Sequence, residues 1–97
     1  MTKDEQLEKV KEALSITGNF QDKALMIYLE EVRDYLEGAG VNKSILDSEQ
    51  AIGILSRGVS DLWNYGSGNA ALSPYFYERA IQLVYRSRTM EEGENAE

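Results

Sequence analysis

Seventeen aspartates and glutamates dominate the side chains that can do chemistry in this 97-residue chain, and no cysteine or histidine accompanies them. Without thiols there is no disulfide, no thiolate nucleophile and no zinc site of the Cys/His type, and without imidazole the commonest general base is missing. Nucleophilic catalysis is left to Ser, Thr or Lys activated by a neighbour. Lys43 and Ser44 are adjacent, but neighbouring residues on a helix or turn point apart, so a turn or cap role is expected of them. Glu30 and Asp34 share a helix face with Glu31 beside them, a pairing of carboxylates that acid-base or metal work can use. They lie opposite an apolar stripe, where a solvated surface is the default. No calcium-loop spacing occurs, and the glycine-rich segment at Gly66 to Asn69 lacks the GK[ST] ending of a phosphate loop. Asn42-Lys43-Ser44 matches a glycosylation sequon, which is read as a chance match. No catalytic, metal-ligating or cofactor-binding residue is assigned, and the chain is read as a non-enzyme.

Aromatic residues are more informative. Trp63 and Tyr65 end one expected helix, Tyr75, Phe76 and Tyr77 begin the next, and both groups flank one loop. One reading is a satellite core packed under that loop; the other is a protein interface, since five aromatics at one place exceed what a small domain readily buries, and tyrosine and tryptophan are favoured at interfaces. Phe76 is expected inside and some of the tyrosines outside. The candidate protein interface comprises Arg57, Asp61, Trp63, Tyr65, Tyr75, Tyr77, Arg86 and Arg88.

The elements that position these residues follow from hydrophobic spacing. Leu7, Val10 and Leu14 recur at three and four residues, predicting a short helix from Asp4 to Leu14. Ser15 to Asn19 supplies a turn, with the next helix opening near Asn19 or Asp22. Ala24, Leu25, Tyr28, Leu29, Val32, Tyr35 and Leu36 form one broad stripe from Asp22 to Glu37, which Gly38-Ala39-Gly40 ends. After a linker through Leu46, Asp47 and Gln50 resemble a capping pair. A third helix then carries Ala51, Ile52, Leu55, Val59, Leu62 and Trp63 to about Tyr65. Gly53 and Gly58 each cost it about 1 kcal/mol against alanine, so close approach of another helix is expected at both. Ser73-Pro74 suits the start of a fourth helix, running to about Arg88 with Phe76, Ala80, Leu83 and Val84 inward and Tyr77 and Ile81 widening the stripe. The expected fold is all-α, a small bundle of three main helices plus a short N-terminal helix, in one domain spanning 1–88. An acidic tail, 89–97, is expected to be flexible in the isolated chain.

Charge and hydropathy narrow the class. Ten bases against 17 acids give a net charge of -7, which opposes polyanion binding through counterion release. All ten bases and 13 of the acids lie in 1–88, so the tail carries more than half of the excess charge. The longest apolar run, Ala24 to Leu29, is far short of the roughly 20 residues of a membrane span, and the charged N-terminus is unlike a signal peptide. An intracellular protein is expected.

The run Arg57-Gly58-Val59-Ser60-Asp61-Leu62-Trp63-Asn64, followed by Ser67-Gly68, Leu72-Ser73-Pro74 and Gln82-Leu83, resembles the C-terminal half of the head-tail connector (adaptor) proteins of tailed phages that infect Gram-positive hosts. The order of elements in the first half is similar too, and the resemblance spans roughly residues 5 to 88. It implies a small helical virion protein that assembles as a homo-oligomeric, dodecameric ring under the portal protein. Such a ring extends the DNA channel and docks a stopper or tail-completion protein, with genomic DNA passing through without specific binding and no membrane involved. It implies a place in the virion neck, and in the host cytoplasm during assembly. It also implies portal docking through the C-terminal segment, Arg86 to Glu97 here. A channel wall of this kind is expected to be acidic, and Glu5, Glu8, Glu12, Glu30, Glu31, Asp34 and Glu37 are its candidates. The rival reading is a small regulatory or anti-repressor-like binding module that uses the Trp63 to Tyr77 surface.

Overall fold

Thr2 opens the first helix. Its hydroxyl accepts from the Glu5 amide while the Glu5 carboxylate accepts from the Thr2 amide, a reciprocal cap. The computed structural model of the protein describes residues 1–65 and 72–95, with the side chains of Tyr65 and of residues from Met90 onward left out of the description. Its helices are α1 (Lys3–Ala13), α2 (Asp22–Ala39), the single turn α3 (Lys43–Leu46), α4 (Ile52–Tyr65) and α5 (Pro74–Asn95), with a 3-10 turn at Glu49–Ala51 leading into α4. The structure is 79% helical with no strand among the described residues, an all-α bundle of four substantial helices. None of these helices is long and apolar enough to cross a membrane.

Local chemistry sets the boundaries. Gly40 ends α2 with a φ of 112°, a left-handed conformation open to glycine, and Val41 donates back to the Leu36 carbonyl. Gly38 stays helical. The expected Asp47/Gln50 cap is replaced by two others: Asn42 caps α3 through the Ile45 amide, and Ser48 caps the 3-10 turn through the Gln50 amide. Asp47 is drawn away because it pairs with Arg33. Ser44 donates to Asn42 Oδ1 at 2.8 Å, so the Lys43-Ser44 pair and the sequon asparagine belong to a helix cap. Ser73 caps α5 through the Phe76 amide, with Pro74 at the first helical position. α5 continues to Asn95, seven residues past its expected end at Arg88. Thr89 to Glu92 contain no strong helix breaker, and Glu92 stands four residues from Arg88, a spacing that supports helix. The expected loop Gly66 to Asn69 lies outside the described residues.

The core sits between α2 and α4, closed at one side by α1 and at the other by α5. Leu25, Leu29, Val32 and Leu36 of α2 face Ile54, Leu55, Val59 and Leu62 of α4, with Leu7 and Val10 of α1 and Phe76, Ala80 and Leu83 of α5 completing the cluster. Tyr35, Tyr77 and Ile81, expected to widen the inward stripes, are 42%, 42% and 56% exposed. The two glycines of α4 also part company. A Cβ on Gly58 would stand 2.8 Å from both Val32 methyls and 2.9 Å from Phe76 Cε2, whereas one on Gly53 would meet nothing within 4 Å. Close approach explains Gly58 alone, and it is made by side chains rather than by a helix backbone.

This difference predicts opposite responses to one added methyl. Gly53→Ala should raise stability by about 1 kcal/mol through helix propensity. Gly58→Ala gains the same increment but overpacks the core, at a cost of about 1–3 kcal/mol, so it should lower stability by up to about 2 kcal/mol in urea titrations; equal responses of the two variants would contradict the crossing described.

Candidate functional site

Most polar side chains inside the bundle are engaged in structural contacts, although the buried Ser56 hydroxyl has no hydrogen-bond partner among the described residues. Gln6, 1% exposed, donates from Nε2 to the Leu46 carbonyl at 2.7 Å, and Arg33 Nη1 donates to Gln6 Oε1 at 2.7 Å and to the same carbonyl at 3.1 Å. Arg33 Nη2 reaches Asp47 Oδ1 at 2.7 Å. One guanidinium thus ties α1, α2 and the end of α3 together, with a carboxylate compensating its buried charge. Lys11 is also buried, its Nζ 2.8 Å from Asp22 Oδ1 and 3.5 Å from Glu8 Oε1. The Asp22 contact holds the Lys11 ammonium above its ordinary pKa of 10.5, against the opposing effect of burial, with Glu8 adding to the shift. Glu5 is lowered from 4.5 by the Thr2 amide and hydroxyl that cap α1.

The carboxylates singled out in the sequence do not converge. Glu30 pairs with Lys3 at 3.2 Å, and with Asp34 it lines a polar recess shared with Lys3, Arg33, Glu37 and Lys43. Among the described residues no group of three or more carboxylates is placed to hold a metal ion.

Seven of the eight interface candidates have described side chains, and these separate into three environments. Asp61 is buried at 5% exposure: its Oδ2 accepts from the Ser73 amide at 2.9 Å, and Arg57 Nε lies 3.6 Å from Oδ1. It anchors the start of α5 and presents nothing to a partner. Trp63 is half-buried and meets Tyr28 edge-on, with centroids 6.1 Å apart, so it too belongs to the interior. The interface expectation for Asp61 missed its Ser73 partner, whereas Trp63 packs against the core as its place on the apolar stripe of the helix implies. Tyr75 is 55% exposed beneath the Arg57 guanidinium, 5.7 Å from the ring centre. Arg86 is exposed and donates to Gln50 Oε1 at 2.6 Å. The Tyr65 side chain lies outside the described residues.

Tyr77 and Arg88 come together in a groove between α2 and α5. It has a volume of about 410 Å³ and is lined by Tyr35, Ala39, Tyr77, Ala80, Ile81, Val84, Tyr85 and Arg88. Tyr35 packs against Phe76 at 5.7 Å and Tyr77 at 5.9 Å, so the core aromatic continues into the groove wall. Tyr85 is 61% exposed, with the Arg88 guanidinium 5.9 Å over its ring. Three groove residues, Tyr35, Ile81 and Tyr85, were absent from the expected interface. On α5 the signal was legible: Tyr77, Ile81 and Tyr85 recur every four residues, and the first two each follow a buried residue, Phe76 and Ala80. An apolar groove with aromatic walls and few polar groups is suited to holding another protein's side chains. No protein-family model, curated protein or solved structure matches the chain.

Removing Asp61 and removing a groove residue should therefore have different consequences. Asp61→Ala deprives α5 of its anchor and should cost about 1–2 kcal/mol. Ile81→Ser, on the open groove, should stay within about 0.5 kcal/mol of the parent. Thermal melts of the two variants distinguish the roles, and a silent Asp61→Ala would remove the anchoring role. Lys11 makes a pH-dependent contribution of defined sign. Its pKa is raised on folding, so the stability it supplies is complete below pH 10.5 and declines as pH rises through the elevated folded value. The stability gap between the parent and Lys11→Met should be constant near neutrality and narrow above pH 10.5; a gap independent of pH would contradict the pairing.

Proposed function

We propose that this chain is a non-enzymatic structural component of a tailed-phage neck, a head-tail connector that forms a ring under the portal and docks a stopper or tail-completion protein. The observation that carries the reading is the α2–α5 groove, whose tyrosines and Ile81 stay exposed although the core beside them is filled. Side-by-side copies of one subunit require such a patch, because a cyclic assembly joins one surface of each copy to a different surface of the next. The motif run from Arg57 to Leu83 supports the same reading by resemblance. Asp61 and Ser73 of that run hold α5 on α4, a role any family sharing the run would need filled.

The electrostatics are compatible with a channel wall. Glu5, Glu8, Glu12, Glu30, Glu31, Asp34 and Glu37 are exposed on α1 and α2, and a carboxylate-lined wall repels phosphate and keeps a duplex centred where arginine and lysine would grip it. DNA would pass without specific contact, and the ring would work in the virion neck after assembly in the host cytoplasm.

Electron microscopy of the chain mixed with a portal assembly tests the reading. Twelve copies in lateral contact, adding a mass near twelve times 10.9 kDa, are expected. Copies that touch only the portal, or a chain that ignores the portal and remains monomeric or dimeric, would instead favour a small binding module acting on a single target.

A further inference from the structure

The turn between α1 and α2 carries a phenylalanine that the fold does not use. Phe20 is 98% exposed, the highest value of any large hydrophobic residue among those described. The turn that holds it is nevertheless built. The Ile16 amide donates to the Lys11 carbonyl at 2.9 Å and the Asp22 amide to the Asn19 carbonyl at 3.3 Å. The Lys11–Asp22 ion pair ties the two flanking helices, and Leu14 and Ile16 pack on the core. Ser15 adopts a φ of 58°, a left-handed conformation disfavoured for a residue with a side chain. A ring presented on a turn fixed in this way loses little freedom on capture, which suits it to act as an anchor. Ala24 and Ile27, the latter 65% exposed, follow on the outer side of α2.

The α2–α5 groove has the complementary form. Its volume of about 410 Å³ exceeds the roughly 150 Å³ that encloses a benzene ring, and Tyr35 and Tyr77 wall it with rings that can receive a third edge-on. Phe20 does not reach the groove of its own chain, because Tyr35 stands fifteen residues further along α2, a rise of about 20 Å in a helix. It enters a groove only on another molecule. We propose that the α2–α5 groove receives Phe20 from a second copy of this chain, with the α2 of that copy lying along α5. Spacing and charge both fit this occupant. Phe20, Ile27 and Glu31 are separated by seven and four residues, and Tyr77, Tyr85 and Arg88 by eight and three, so with Phe20 beside Tyr77 a parallel alignment brings Ile27 to Tyr85 and Glu31 to Arg88. The exposed charges of α2 are Lys23, Glu30, Glu31, Asp34 and Glu37, whereas α5 from Pro74 to Arg88 holds three arginines against one glutamate. An acidic helix therefore meets a basic one. The proposal rests on the ring reading and names the two unlike patches that would join neighbours.

Two full-length variants test the pairing. F20S/I27S removes the anchor and keeps the groove, whereas I81S/Y85S spoils the groove and keeps the anchor. All four positions are exposed, so both variants should fold; circular dichroism checks this, and F20S or I81S alone replaces a pair that does not. Sedimentation velocity at concentrations up to about 1 mM should show the parent chain forming assemblies that grow with concentration, and each variant alone should associate at least about tenfold more weakly. Mixed in equal amounts, the two should form a 1:1 heterodimer and nothing larger, because only one competent anchor and one competent groove remain. A parent chain that stays monomeric, a groove variant that associates like the parent because anchors meet one another, an anchor variant that does so, or a mixture that contains only monomers would overturn the proposal. The portal experiment keeps the two readings apart: lateral rings on the portal with a failed mixture remove this pairing and leave the connector, whereas a heterodimer without portal binding supports the pairing and removes the connector.

Discussion

Three helices meet where Gly58 has no side chain. The Val32 methyls of α2 and the Phe76 ring of α5 occupy the space that a Cβ on α4 would need, so the separation of these helices is set by one missing methyl. From that point the surface follows. Tyr35 lies one turn beyond Val32 on α2, and Tyr77 follows Phe76 on α5; with the inner positions filled, both rings are driven outward and into contact with each other. Close packing at the crossing thus decides where the groove lies as well as how tightly the core fills.

Around this apolar centre, buried polar contacts fix the register of the helices. Gln6, Arg33, Asp47 and the Leu46 carbonyl satisfy one another, and the Asp61 carboxylate receives the Ser73 amide. Burying such groups costs desolvation that the contact only partly returns, so their net contribution to stability is modest. What they add is geometry. A one-turn slip of α1 along α2 takes the Gln6 amide away from both the Leu46 carbonyl and Arg33, while Arg33 keeps Asp47, and a primary amide buried without partners is a larger penalty than displacement of Leu7 alone.

The legibility of these features in the sequence divides along the same line. Periodicity revealed the four main helices, their order and most of the core, because apolar burial repeats at 3.6 residues and is a property of one segment at a time. The Ser73-Pro74 start and the Gly40 stop were readable because capping chemistry is local. Gln6, Lys11 and Asp61 were not, since each is buried through a partner on another element, 40, 11 and 12 residues away for Leu46, Asp22 and Ser73. Residue type made Asp61 look like surface, and a partner remote in sequence made it interior. Thr2 and Glu5 were a missed local signal, a capping box written openly at the start of α1.

Exposed apolar rings and net charge have opposite effects on a protein surface. A net charge of -7 opposes encounters between copies, whereas the exposed Tyr77, Ile81 and Tyr85 are apolar surface of the kind that favours contact. Attraction exceeds such repulsion only where an arrangement brings opposite charges and apolar surfaces together at once. Among the described residues Arg88 is the one charged side chain lining the groove, and it stands at the point along α5 where the basic stretch gives way to the acidic one. The helix that contributes most of the groove is therefore basic along the groove and acidic beyond it, which gives one long helix two chemically unlike ends.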